Sequence, residues 1–256
     1  MPELVLKGLS GLPEILQDVD LIELLVDALR RAQVTLQAGD IIVLAQKIVS
    51  KAEGRAVRLA DVQPSARAHE LARECAKDPR LVELILRESR EVLRVKPGII
   101  IVEHRLGFVM ANAGIDQSNV PGDDVALLLP HDPDASARAL RTALCARSGV
   151  AVGVLIIDSF GRAWRHGVTG IAIGVAGVPA LIDQRGARDR EGRVLKVTQV
   201  AAADELAAAA SLVMGQADEG VPAVLARGFP YTLTSGTQRE SAIADVIRPK
   251  AEDLFR

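Results

Sequence analysis

The chain has 256 residues, 49% of them hydrophobic and 25% charged, a balance that fits a soluble globular protein with a sizeable core and argues against a disordered one. A net charge of -2, no basic tail and only 2% aromatic residues argue against a nucleic-acid binder. No apolar run approaches a membrane span, "MPELVLKGLSGLPEIL" lacks the build of a secretion signal, and Cys75 and Cys145 lack metal-ligand spacing; the expectation is a cytoplasmic protein with two buried thiols.

In chain order, "LVLKGL" (4–9) predicts a strand, and "DLIELLVDALRRAQV" (20–34) an amphipathic helix capped by Asp20 or Asp18. "DIIVLAQKIVSK" (40–51) begins as a buried strand. Helical spacing of apolar residues predicts two helices from Pro64 to about Arg90, broken near Asp78 and Pro79. "GIIIVEHRLGFVMANAG" (98–114) reads as two strands joined by a turn at Arg105–Gly107, "DASARALRTALCARSG" (134–149) as a helix ending at Gly149, and "VAVGVLIID" (150–158) as a buried strand ending at Asp158. From Gly167 to Gly177 glycine recurs too often for a regular element to be expected. The Ala-rich "AAADELAAAASLVM" (201–214) predicts a helix, and "DEGVPAVLARG" (218–228) ends in a strand. Interleaved helices and strands with hairpin-like pairs predict a mixed α/β fold, α+β-like, with a mixed sheet. No Gly-x4-Gly-Lys-Ser/Thr is present, and Gly170, Gly174 and Gly177 lack dinucleotide-fold spacing, so the fold is expected to be neither P-loop nor Rossmann.

Two polar stretches stand out against this apolar background. "ANAGIDQSNV" (111–120) puts Asp116 among small amide and hydroxyl side chains, which suits either a turn or a ligand site. Asp158 closes an apolar strand and is followed by Ser159 and "FGRAWRHG" (160–167), with Arg162, Arg165 and His166 crowded in one loop. A carboxylate pair with a hydroxyl and amides is hard oxygen ligation, suited to Mg2+ or Mn2+ and not to zinc. The alternative is that Asp158 caps a turn and the arginines are solvated. His166 is either a proton acceptor or a structural hydrogen-bonding group. Trp164 is read as core filling in preference to a ring facing a ligand.

Four blocks, "IIVLAQKIVSKAEGR" (41–55), "RLGFVMANAGIDQSNVPG" (105–122), "IIDSFGRAWRHGVTGIAIGVAG" (156–177) and "GQADEGVPAVLARG" (215–228), closely resemble the coenzyme F420-0:gamma-glutamyl ligase family, in the family order and from Leu12 almost to the C-terminus. The resemblance implies a GTP-dependent enzyme that attaches L-glutamate to the carboxylate of F420-0 through an acyl phosphate, then adds further gamma-linked glutamates. It also implies two divalent cations, Mg2+ or Mn2+, room for a monovalent cation such as K+, and a homodimer with a family-specific fold. A single ligase domain over 1–256 is expected, with room for two structural lobes and no fused flavin-binding domain.

By the same resemblance Asp116 and Asp158 are catalytic and metal-binding, with Asp158 bridging the ions, and Ser159 and Gln216 complete the metal ligands. Nucleotide contacts carry over to Leu12, Pro13, Glu14, Ile15, Gln46, Lys51, Asn119, Met214, Gly215, Gln216, Ala217, Asp218, Glu219, Gly220 and Val221. Two departures occur: "QDVD" (17–20) replaces the family's Gly-Asp-Asp, and Ser159 replaces Thr but keeps the hydroxyl. Lys51 is a point charge for phosphates or a solvated strand end. Arg162, Arg165, Arg188 and Arg190 are candidates for the F420-0 phosphodiester or the glutamate carboxylates, with surface solvation as the alternative. The rival functions are a related amide ligase acting on another carboxylate and a non-catalytic GTP- and metal-binding protein.

Overall fold

The computed structural model describes residues 3–118, 122, 124–233 and 241–253. In chain order these residues form β1 (Val5–Leu9), α1 (Leu21–Arg31), β2 (Ile41–Ala45), α2 (Gln46–Ala52), β3 (Ala56–Arg58), α3 (Ala66–Cys75), α4 (Pro79–Arg87), β4 (Ser89–Lys96), β5 (Ile99–His104) and β6 (Val109–Ala111). They continue with β7 (Val125–Leu127), α5 (Pro133–Ser148), β8 (Gly153–Arg162), β9 (Arg165–Ala176), β10 (Ile182–Asp183), β11 (Gln199–Val200), α6 (Ala202–Met214) and β12 (Ala223–Arg227).

The main sheet has the order β1-β12-β2-β8-β9. Only β2 and β8 pair in parallel, so the sheet is mixed, as expected. Ile41, Ile42, Val43 and Leu44 are fully buried, which is why β2 is a continuous apolar run without alternation. Asp20 caps α1, its Oδ1 accepting from the backbone N–H groups of Ile22 and Glu23, and the helix turns Leu21, Leu25, Ala28 and Leu29 into the same core. Each such leucine contributes about 1.5–3 kcal/mol through burial. A bidentate bond from Arg227 to the buried Asp40, at 2.8 and 2.7 Å, ties β12 to the start of β2.

A second sheet, β4-β5-β6, packs against α3 and α4 around Leu71, Val82, Ile85, Ile100 and Val102. Ser65 caps α3 and Asp78 caps α4, with Pro79 opening the latter, so the break near Asp78 and Pro79 is borne out. The second helix ends sooner than its apolar pattern suggests, at Arg87, and Ser89–Lys96 is strand β4. Cys75 and Cys145 are both free, the first buried and the second partly so. Among the described residues no helix is long and apolar enough to cross a membrane.

Three expectations around residues 158–177 are corrected. Asp158 does not end its strand: β8 continues to Arg162 and turns tightly into β9, with Arg162 paired to Arg165. The Gly-rich stretch is strand β9 as far as Ala176, with one slip in register. A Cβ on Gly170 would fall 2.4 Å from the Ala207 carbonyl oxygen of α6, and one on Gly174 would fall 2.5 Å from the backbone of Pro133 at the start of α5. These glycines let two helices approach the strand backbone. Trp164 is not core: it sits in the hairpin turn with a φ of 56° and is 81% exposed.

Candidate functional site

Parallel pairing of β2 and β8 generates the site. Ala45 is in register with Ile157, so Gln46 and Lys47 leave one strand where Asp158 and Ser159 follow on its neighbour. Loops at the carboxyl ends of parallel strands are the common place for a ligand in such sheets. Because α2 starts at once, Lys47 and Lys51 lie one turn apart on one side, while Gln46 and Ser50 turn inward and Ser50 Oγ donates to Gln46 Oε1 at 2.8 Å. The end of α6 and the loop to β12 close the third side, anchored where the Ala45 N–H meets the Pro222 carbonyl at 2.9 Å.

The cleft between them, about 480 Å³ and open to solvent, is lined by Leu12, Gln46, Lys47, Lys51, Asp158, Ser159 and all of 214–221. The sequence-predicted residues at those positions are therefore brought together. Pro13, Glu14 and Ile15 do not line it: Ile15 is in the core, and Glu14 is exposed with its charge acting on Lys51. Asn119 lies outside the described residues. Arg162, Arg165 and His166 are exposed on the far part of the β8–β9 hairpin; Arg188 bonds the Gly192 carbonyl at 2.6 Å, and Arg190 is exposed. A larger hollow of about 690 Å³ between the ends of α1 and α5 contains none of the candidate residues, and its Arg30 and Arg147 are paired with Asp27 and Glu23.

Asp116 is held from two directions. Its backbone exchanges hydrogen bonds with Leu127 at 3.0 and 2.8 Å, and its carboxylate accepts the Ser118 N–H at 2.7 Å. Lys47 Nζ stands 2.7 Å from Asp116 Oδ2 and donates to Ser118 Oγ at 2.9 Å. Burial works to raise the Asp116 pKa, but the bonds from Lys47 and Ser118 outweigh it and hold the group below the usual carboxylate range. Asp158 goes the other way: burial, helped by the Asp116 charge and opposed by the Ser159 N–H and Lys47, pushes it up to about 7. Two carboxylates with opposite shifts facing one lysine form a strongly polarised centre. Ser159 Oγ donates to Gln216 Oε1 at 2.9 Å, which brings the hydroxyl and amide candidates into contact. Burial, with help from Lys47, lowers the Lys51 pKa against the pull of Glu14.

The donors fit the ligands that the pattern suggested. Two carboxylates, a hydroxyl and an amide oxygen are hard oxygen ligands, and an ammonium already rests on one of them. Among the described residues no group of three or more His, Cys, Asp and Glu side chains gathers to hold a metal, so a cation here would have to take oxygens from groups such as Ser159 and Gln216 as well. Gln46 Nε2 is buried without a hydrogen-bond partner and belongs to a side chain lining the cavity, a donor available to an acceptor there. At the cavity wall Glu219 Oε2 accepts the Ala217 N–H at 2.8 Å above Gly215, whose φ of 75° leaves it no room for a Cβ beside the Glu219 carboxylate. That loop thus gathers N–H groups around an anion, as phosphate-binding nests do. Lys47 escaped the sequence reading; its spacing of four from Lys51 carries meaning only once Gln46–Ala52 is known to be helical.

Residues 11–228 match the family model described as F420-0:Gamma-glutamyl ligase. Similar proteins named coenzyme F420:L-glutamate ligase include one from Methanothermobacter thermautotrophicus, 47% identical over 98% of this chain and 98% of the relative. Another, from Methanopyrus kandleri, is 50% identical over 93% and 91%, and a third, from Methanocaldococcus jannaschii, 46% identical over 88% of each. With a match that includes β2, α2, β8 and the 214–221 loop, the elements that build the cavity, the chain belongs to the F420-0:gamma-glutamyl ligase family.

Proposed function

We propose that this protein joins L-glutamate to coenzyme F420-0 in a GTP-dependent ligase reaction, giving F420-1 and, on repetition, gamma-linked polyglutamates. The terminal phosphoryl group of GTP passes to the F420-0 carboxylate, forming an acyl phosphate and GDP. The amino nitrogen of glutamate then attacks the acyl carbon; the C–N bond forms, the bond to the phosphate oxygen breaks, and inorganic phosphate and a proton leave. The observation that carries this reading is the gathering of Gln46, Lys51, Asp158, Ser159, Gln216 and the 214–221 loop about one cavity where the parallel pairing of β2 and β8 ends.

Lys51 supplies a positive charge to the triphosphate, and its lowered pKa reflects a shielded position where that charge is less screened. Gln46 Nε2 donates to the nucleotide, and the N–H groups now directed at Glu219 favour an anionic oxygen. Asp116, Asp158, Ser159 and Gln216 are the residues that would hold two divalent cations, Mg2+ or Mn2+. When bound, such ions neutralise charge on phosphoryl oxygens during in-line transfer. The family resemblance also supports a homodimer.

Mass spectrometry of F420-0 incubated with the protein, GTP, L-glutamate and Mg2+ or Mn2+ tests the reading. Addition of glutamyl units is expected only when all components are present. Recovery of unchanged F420-0 overturns the activity, and full turnover in excess EDTA overturns the metal requirement.

A further inference from the structure

We propose that Lys47 is the resident counter-cation of this site: its ammonium holds the Asp116 carboxylate and the Ser118 loop in the metal-free protein and is exchanged for a divalent cation when one binds. The proposal rests on the reading of Asp116 as a metal-binding carboxylate. Lys47 Nζ is 2.7 Å from Asp116 Oδ2 and 2.9 Å from Ser118 Oγ, so two of its three donors face the segment that carries the carboxylate. Both side chains are about one-third exposed, 28% for Lys47 and 32% for Asp116, so the pair is partly shielded yet reachable from solvent.

A hard dication needs carboxylate oxygens, and on Asp116 it meets one already engaged by an ammonium. A dication on Asp116 competes with the Lys47 ammonium for Oδ2 and repels it at contact distance. Binding of the dication therefore ejects the Lys47 ammonium. Lys47 is anchored on the first turn of α2 and lines the cavity that also holds Lys51 and Asp158. The freed ammonium enters a space already positive from Lys51 and the metal, and an anion is what makes that position favourable. Triphosphate and metal each make room for the other, a positive coupling between two ligands that acts through one side chain.

Amine footprinting reads the exchange in the wild-type protein. The chain is treated with an acetylating reagent at increasing Mn2+, without nucleotide, and labelling of Lys47 and Lys51 is quantified by peptide mass spectrometry. Lys47 is expected to label slowly without metal and several-fold faster at saturating Mn2+. By calorimetry in the absence of nucleotide, Lys47→Met is expected to bind Mn2+ roughly five- to tenfold more tightly than wild type, the scale of releasing one partly shielded ion pair, while Lys47→Arg stays near wild type. Lys47 labelling that ignores saturating Mn2+ overturns the proposal, as does unchanged or weaker Mn2+ binding by Lys47→Met. So does absence of Mn2+ binding to both proteins. Asp116→Asn separates the two levels: if it binds Mn2+ as well as wild type does, the metal role of Asp116 fails. If it loses the ion while Lys47 of the wild-type protein is not released by saturating Mn2+, only the counter-cation role fails.

Discussion

Asp158 carries an energetic conflict within one side chain. In the metal-free protein its pKa is pushed up to about 7, first by burial and then by the neighbouring Asp116 charge, against about 3.9 in an unfolded chain. A carboxyl group raised in this way contributes stability that is full below about pH 4 and is lost as the pH rises through about 7. Above that point the folded protein holds an uncompensated carboxylate, which a divalent cation would relieve. Asp158→Asn removes the charge at nearly constant size. In EDTA at pH 8 this variant is expected to be more stable than wild type by about 1–3 kcal/mol, allowing for partial solvent screening, with little difference near pH 4. Glutamate addition is expected to fall on the order of 100-fold or more, because charge developing in transfer loses a preorganised partner. Urea unfolding at the two pH values and initial rates check the two halves separately. A variant no more stable at pH 8 removes the burial argument, and one with wild-type turnover removes the role in chemistry.

Helices were legible wherever their ends are set locally. Asp20, Ser65, Asp78 and Asp132 each bond N–H groups of their own first turn, and Gly149 takes the left-handed φ of 71° that ends α5, so the signals lie within a few residues of what they determine. Strand β9 was not legible, because its glycines answer to α5 and α6, elements distant in sequence. Its pairing with β8 also slips by one residue beside Ile156 and Ile157, one step before Asp158, a bulge of the kind that re-aims a side chain at a site. The outward N–H groups of Ala172 and Val175 are taken by Asp204 and Asp134 from the two helices, so the edge strand is sealed by carboxylates. Gly170→Ala is expected to destabilise by about 1–3 kcal/mol, since the new methyl group meets a backbone oxygen that cannot turn aside. It is also expected to lower activity, because displacement of α6 carries Gln216 away from Ser159. Gly161→Ala, on the same hairpin with nothing within 4 Å of the added carbon, is the control and is expected to stay within about 0.5 kcal/mol of wild type. Thermal melts of the pair measure the difference, and equal shifts for both variants count against close helix approach as the reason for Gly170.

At the scale of the whole molecule, the residues that line the candidate cavity stood out in sequence because they fall in contiguous blocks, whereas the joint that holds the second sheet to the rest did not. That joint is Glu88, at the end of α4. Its carboxylate meets Arg55 at 3.0 Å and Arg105 at 2.9 Å, with His104 Nε2 more distant at 3.5 Å. Arg55 goes on to the Leu129 carbonyl and Arg105 to that of His131, so one buried carboxylate links α4 and the β5 turn to the segment entering α5. Residues 55, 88, 104 and 105 have no periodic relation, and only the fold assembles them. Burial opposes ionisation of Glu88, but the nearby His104 ring, the bond from Arg105 and the charges of both arginines prevail and bring its pKa down to about 2. The unfolded value is near 4.3, so the lowered pKa contributes stability that is fully present above about pH 5 and is lost as the pH falls from there toward 2, about 2–3 kcal/mol in all. Glu88→Gln is expected to destabilise at pH 7 by about 3–5 kcal/mol, because Arg55 and Arg105 are left without their shared anion. It is also expected to flatten the loss of stability between pH 5 and pH 3, since the titrating group is gone. Denaturant unfolding of both proteins across that range decides the matter: parallel pH profiles for wild type and variant would show that the acid sensitivity of the fold resides in other carboxylates.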